Sequence, residues 1–224
     1  MMQVDVNYEE VEVRKKPSVF GMLFAPSAQF DRMKGKFPIA LPLVMILIIS
    51  AITSAIIAYV GLSNPIFEDS EIADLGIDIP IGVTLGTGAA TGVIGVLIGY
   101  LLVALFYKVA MMFIGKDTTY KTLFGLTVYV SIISAVGMLL NGGIALLVGG
   151  FEPYYTSLAP LFADNKLLHS IGANFDIFHI WYYVVFALGL QAVAGLSKKQ
   201  AITLVIIEFS LGVAISSIGG IFSI

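Results

Sequence analysis

Five uninterrupted apolar runs, each about as long as a helix needs to cross the roughly 30 Å of a bilayer core, constrain this chain more than anything else in it. They are residues 37–61, 81–107 (with the apolar character running on toward Ile114), 123–150, 177–196 and 201–224. Backbone groups in hydrocarbon have no water to bond, so a spanning segment must satisfy them internally, as a helix, or in a closed barrel. Barrel strands are shorter and alternate in polarity; these runs are long and continuous, so helices follow. The predicted fold class is all-α: a polytopic integral membrane protein with five transmembrane helices. The balance of the 224 residues supports this. They are 58% hydrophobic and 12% charged, about half the charge of an ordinary soluble domain. Little chain is left over for a separate soluble domain.

The segments between the runs alternate in charge. Segment 1–36 carries Arg14, Lys15, Lys16, Arg32, Lys34 and Lys36. Segment 62–80 has no basic residue, but it has Glu68, Asp69, Glu71, Asp74 and Asp78. Lys108, Lys116 and Lys121 outnumber Asp117 in the next connection; Glu152, Asp164 and Asp176 outnumber Lys166 in the one after; the last turn holds Lys198 and Lys199. Basic connections stay on the cytoplasmic side, which predicts an amino terminus inside and a carboxy terminus outside. The opening residues, MMQVDVNYEEVEVRKK, lack the pattern of a secretory leader, so the first span is expected to serve as its own insertion signal.

Within this frame, residues 1–16 read as a polar cytoplasmic tail, 17–36 as an interfacial segment and 37–224 as the five-helix domain. The interfacial reading rests on a helix start at Ser27 after Pro26, on Phe30 and Met33 recurring on one side, and on Arg32, Lys34 and Lys36 placed for headgroups.

Chemistry is sparse. Cysteine is absent, which excludes disulfides, thiolate catalysis and cysteine-based metal centres. Two histidines, His169 and His179, make no zinc pattern. GVTLGTGAATG lacks the Gly-Lys-Ser/Thr ending of a phosphate loop, and no G-x-S-x-G elbow occurs. The acidic stretch FEDSEIADLGID lacks the spacing of a calcium loop and reads as a solvated outer connection. FHIWYY sets Trp181, Tyr182 and Tyr183 where an outer aromatic belt would lie. No enzyme, cofactor, metal or nucleic-acid partner is expected.

Two features remain as candidate sites. Gly88, Gly92, Gly95 and Gly99 fall at steps of four, three and four, forming one stripe on the second span. Such a stripe lets a neighbouring backbone come close. It serves either packing within the chain, a homo-oligomer seam or a flexible pore helix. The second feature is Glu208, a full carboxylate about eight residues into the fifth span, roughly 10–12 Å below the cytoplasmic edge at 1.5 Å per residue. Its face carries Ala201, Val205, Gly212, Ser216 and Gly219, small enough to pack on protein. Gln191 of the fourth span, and Tyr100 and Tyr129 in the inner halves of theirs, are the expected hydrogen-bond partners in one buried polar cluster. At that depth the neutral carboxylic acid is favoured, because the ion loses its water. Three roles stay open: a strut between helices, a proton or cation relay, and a contact for a partner helix.

The stretch FDIFHIWYYVVFALGLQAVAGLSKKQAI, 175–202, resembles the Yip1-domain membrane proteins, above all their bacterial branch. FAPSAQFDRM at 24–33, TTYKTLFGLTVYVS at 118–131 and YYTSLAPLF at 154–162 resemble further family segments in the same order, so the likeness covers about 20–224. Two departures stand out: YVSIISAVG lacks the proline that often follows the third-span Tyr and Ser, and the eukaryotic DLYGP-like segment is missing. The resemblance implies five helices, a cytoplasmic amino terminus and no enzymatic activity. Eukaryotic relatives bind prenylated GTPases, a role the departures leave behind. Some bacterial relatives are associated with ABC-type exporters. The expected role is a non-catalytic interaction or assembly factor in a bacterial plasma membrane, in contact with lipid and with a membrane-protein partner such as an exporter subunit. The alternative is a small transporter or channel built on Glu208.

Overall fold

The structure, a computed structural model, describes residues 16–35, 37–62, 79–150, 152 and 154–222. The acidic stretch 68–78, the basic residues Arg14 and Lys15, and Lys36 lie outside the described residues. Among those described, five helices are long and apolar enough to cross a membrane: Ala40–Gly61, Ile81–Ile114, Tyr120–Val148, Ile177–Ala194 and Lys198–Ile221. The chain is an all-α polytopic membrane protein. Its described elements are α1 (Gly21–Phe24), α2 (Pro26–Arg32), α3 (Ala40–Gly61, the first span), α4 (Ile81–Ile114, the second), α5 and α6 (Tyr120–Val130 and Ile132–Val148, the third), α7 (Lys166–Ala173), α8 (Ile177–Ala194, the fourth) and α9 (Lys198–Phe222, the fifth).

The ends of the spans have local causes. Gly115, at φ 74°, closes α4 with the Lys116 amide donating back to the Met111 carbonyl at 2.9 Å. This left-handed cap suits glycine, which has no Cβ to clash. At 34 residues α4 is about 50 Å long and outruns the hydrocarbon by several turns. Thr119 caps α5 by accepting from the Thr122 amide at 3.2 Å. Helix therefore starts at Tyr120, earlier than the apolar run itself. Asp176 caps α8, accepting from Phe178 and His179 amides at 2.8 and 3.1 Å. The fifth span opens on a reciprocal cap within SKKQ: the Gln200 amide donates to Ser197 Oγ at 3.2 Å, and the Ser197 amide donates to Gln200 Oε1 at 3.0 Å.

Lateral position follows from burial. The third span is the hub, with 67% of its most apolar window buried against 6% for the second span. The α3 helix lies along α4 and against α6; α8 packs on α2, α5, α6 and α9. The core gathers Met22, Phe30, Met33, Tyr107, Leu126, Tyr129 and Phe186. Outward, Leu41, Ile48, Leu102, Ile206 and Ile215 stand exposed, a surface matched to lipid and untenable in water.

The amino-terminal segment differs in detail from the sequence reading. Phe30 and Met33, taken there as the lipid-facing side, are buried in the bundle, and the Phe30 ring lies over Gly189 of α8. Gly189 has no Cβ, and that absence makes the space: one added there would fall 2.5 Å from Leu126 Cδ1 and 3.0 Å from Phe30. Phe20 and Phe24 are the exposed aromatics of this segment instead.

On the opposite side, residues 154–174 fold over the bundle end. A short 3-10 turn, Ala159–Phe162, meets α7, which lies against α9. The Asn174 side-chain amide donates to Ser216 Oγ at 2.7 Å, tying this cap to the fifth span.

Candidate functional site

Glu208 finds a partner that the sequence did not suggest. The Tyr107 hydroxyl of α4 donates to Glu208 Oε2 across 101 residues of chain. Tyr107 is held in place by its ring, fully buried and stacked on Phe186 of α8 with centroids 4.7 Å apart. An aromatic ring packed this tightly fixes where its hydroxyl points. The bond joins the second and fifth spans, seven residues before the end of one and ten after the start of the other.

Below this bond lies a groove of about 440 Å³. Its walls are Val96, Gly99, Tyr100 and Val103 on the second span and Glu208, Leu211, Gly212 and Ile215 on the fifth. Its floor is Ser131 and Ser134 of the third span with His179, Tyr182 and Tyr183 of the fourth. Leu102 and Ile215, 59% and 70% exposed, form the lips, so the groove opens sideways toward lipid. Ser131 sits at the break between α5 and α6 and lines the groove beside Tyr100. The backbone ladder continues past it, with the Ala135 amide donating to the Ser131 carbonyl at 2.9 Å. The third span is thus interrupted for one residue at the groove without the proline of the family pattern.

Of the four residues expected to form one polar cluster, the structure brings Glu208 and Tyr100 to the same groove. Gln191 bends back to donate to the Ala187 carbonyl at 3.0 Å, satisfied within its own helix. Tyr129 donates to the Pro38 carbonyl at 2.7 Å, at the entry to the first span. The expectation for both was read from depth alone, and the side of the helix each occupies is not available from depth. Tyr182 and Tyr183, read as belt residues, turn inward: Tyr182 is buried and Tyr183 lines the groove. The signal that could have found Tyr107 was its place one step before Lys108 near the carboxy-terminal end of an over-long span, at a count from the helix end similar to that of Glu208.

The glycine stripe divides in two. A Cβ on Gly88 would meet Ala58 Cβ at 2.6 Å, and one on Gly92 would collide with the Ser54 side chain, so these two serve the close approach of the first span. A Cβ on Gly95 or Gly99 would meet nothing within 4 Å. A second polar centre, missed in the sequence, lies at the bundle end that residues 154–174 cover. Asn141 Nδ2 donates to Thr156 Oγ1 at 2.8 Å, the Thr156 amide donates to Asn141 Oδ1 at 2.9 Å, and the Thr156 hydroxyl donates to Asp176 Oδ2. Among the described residues no cluster of side chains suits a metal ion.

The Yip1 domain family matches residues 20–219, nearly the whole chain. This chain belongs to the Yip1 family. It is 30% identical to the membrane protein YknW of Bacillus subtilis (strain 168), over 99% of this chain and 98% of that one. No solved structure matches it. As a Yip1-family protein with these five helices, it is a multi-pass, non-catalytic membrane protein of the bacterial plasma membrane.

Proposed function

We propose that this protein is an interaction and assembly factor for other membrane proteins, with an ABC-type exporter as the first partner to test. The observation that carries the reading is the groove between the second and fifth spans, open to the side and floored with polar groups. A contact site for another membrane protein needs lateral access, and this groove has it. The Tyr107–Glu208 bond acts as the strut that holds its walls apart, and the Gly95–Gly99 half of the stripe is an interaction surface. The amino terminus is cytoplasmic and the carboxy terminus outside, as the basic connections require. The 17–36 segment rests on the inner leaflet through Phe20 and Phe24, with Phe30 and Met33 docking it to the bundle.

The test is purification from native membranes in mild detergent under conditions that keep exporters intact. Exporter subunits co-purifying with the tagged chain, and an exporter that fails to assemble when the gene is deleted, support the reading. An exporter that assembles and works normally in the deletion strain defeats it.

A second reading, a small transporter using Glu208, draws on the one-residue interruption of the third span at Ser131 beside the groove. Against it, the second span is an unbroken 34-residue helix, whereas transporter sites are built from interrupted helices with several polar groups. Solute or ion uptake by the purified chain in liposomes, abolished in Glu208→Gln, would favour it.

A further inference from the structure

We propose that the groove seats one transmembrane helix of the partner, carrying a lysine or arginine at the depth of Glu208 that pairs with it. This rests on the assembly reading and names the partner's chemistry. Three independent observations converge on it.

The first is charge. Glu208 is an acid in the groove wall, and no lysine or arginine lines the groove with it. The nearest cation along the second span, Lys108, is turned away and donates to the Thr118 carbonyl at 3.0 Å. His179, on the floor, packs its ring against that of Tyr183, with centroids 4.8 Å apart. An acid with no cation in its site is held neutral there, and an entering cation is a group that would draw out its charge.

The second is unspent hydrogen-bonding capacity. Tyr107 occupies Oε2 of Glu208; among the described residues no hydrogen bond reaches Oε1, nor is one donated by the hydroxyls of Tyr182 and Tyr183. An entering ammonium or guanidinium supplies several donors to the carboxylate and finds the tyrosine rings beside it, whose faces attract cations.

The third is shape. Gly99 on one wall stands in open space, and Gly212 on the other meets only the tips of Asn174 and Tyr183, 3.8 and 4.0 Å from where a Cβ would sit, so neither wall fills the groove at these positions. Small residues unspent on internal packing admit a helix more readily than they hold a flexible lipid chain, which gains nothing from close backbone approach. From Val96 to Phe106 the wall runs about 15 Å along the membrane normal, which is two to three helical turns.

The test uses the purified full chain in liposomes with dye-labelled, leucine-alanine model helices about 20 residues long, bearing either a central lysine or a central leucine. Energy transfer to the protein reads association. The lysine helix should associate about tenfold more tightly than the leucine helix. Glu208→Leu should abolish that preference, and Gly99→Phe, which fills the groove at a position with open space around it, should weaken binding of both helices. Melting in detergent shows that each variant is folded. Equal association of the two model helices overturns the proposal, as does a lysine preference that survives Glu208→Leu. Transfer between two labelled copies of the chain that is competed away by the model helix also overturns it, by making the occupant a second copy. An exporter that still needs this protein while the model helices show no preference sinks the groove and leaves the assembly reading standing.

Discussion

The polar centre under the 154–174 cap and the groove between the second and fifth spans are built from similar materials, and they come to opposite ends. Asn141, Thr156 and Asp176 hold one another in a closed circuit: each is buried or nearly so, and Asp176 also caps the fourth span. Glu208, Tyr182 and Tyr183 instead leave donors and acceptors facing a cavity that opens to the side. Buried polar groups cost folding energy unless bonded, so the closed circuit behaves as a fastening for the outer loop. The open groove keeps that cost until something enters, which is the behaviour of a binding surface.

The sharpest way to break this contrast is to cut the fastening. Asp176→Ala removes the helix cap and strands the Thr156 hydroxyl, and it should destabilise the protein by about 3 kcal/mol, measured by denaturant titration in mixed micelles. A change below 1 kcal/mol would mean the circuit is not structural, and the two regions would then be alike. The next largest effect is expected from the stripe. Gly92→Leu drives a side chain into Ser54 of the first span and should cost about 2 kcal/mol, whereas Gly99→Leu, in open space, should stay within about 0.5 kcal/mol. Thermal melts of the pair in the same detergent decide this, and equal losses would unite the stripe that the structure divides.

Glu208 itself should be milder. Glu208→Leu strands the Tyr107 hydroxyl and should cost about 1 kcal/mol, while Glu208→Gln, which still accepts that bond, should be nearly silent in stability. A stably folded Gln variant devoid of activity in cells would show that the carboxyl group does more than brace two helices. The smallest effect should come from His169, whose Nε2 lies 2.6 Å from Glu152 on the partly exposed outer loop. His169→Ala should shift stability by about 0.5 kcal/mol, and salt should weaken the contact in the wild type. A much larger loss in the same titration would extend the fastening to the loop's outer rim.

Much of the fold was legible because hydrocarbon is a simple solvent: it demands long apolar helices, and such runs stand out in any hydropathy reading. The depth of Glu208 and the small-residue face of the fifth span were legible for the same reason, since helical rise converts sequence number to depth. The Phe30–Met33 side was seen as apolar, but lipid and protein interior look the same to it, so its burial against the fourth span was not. Tyr182 and Tyr183 were misread for a related reason: rings near the membrane edge and rings in a core have the same residue type.

What the sequence determined alone is how far along the membrane normal each residue sits, because one coordinate follows from counting residues along rigid helices. What only the tertiary structure decided is the angle of each helix about its axis and which helices adjoin. Those choices gave Tyr107 in place of Gln191 to Glu208, spent Gly88 and Gly92 on the first span, and left Gly99 facing a groove. They depend on side-chain packing between segments far apart in the chain, which no local pattern encodes.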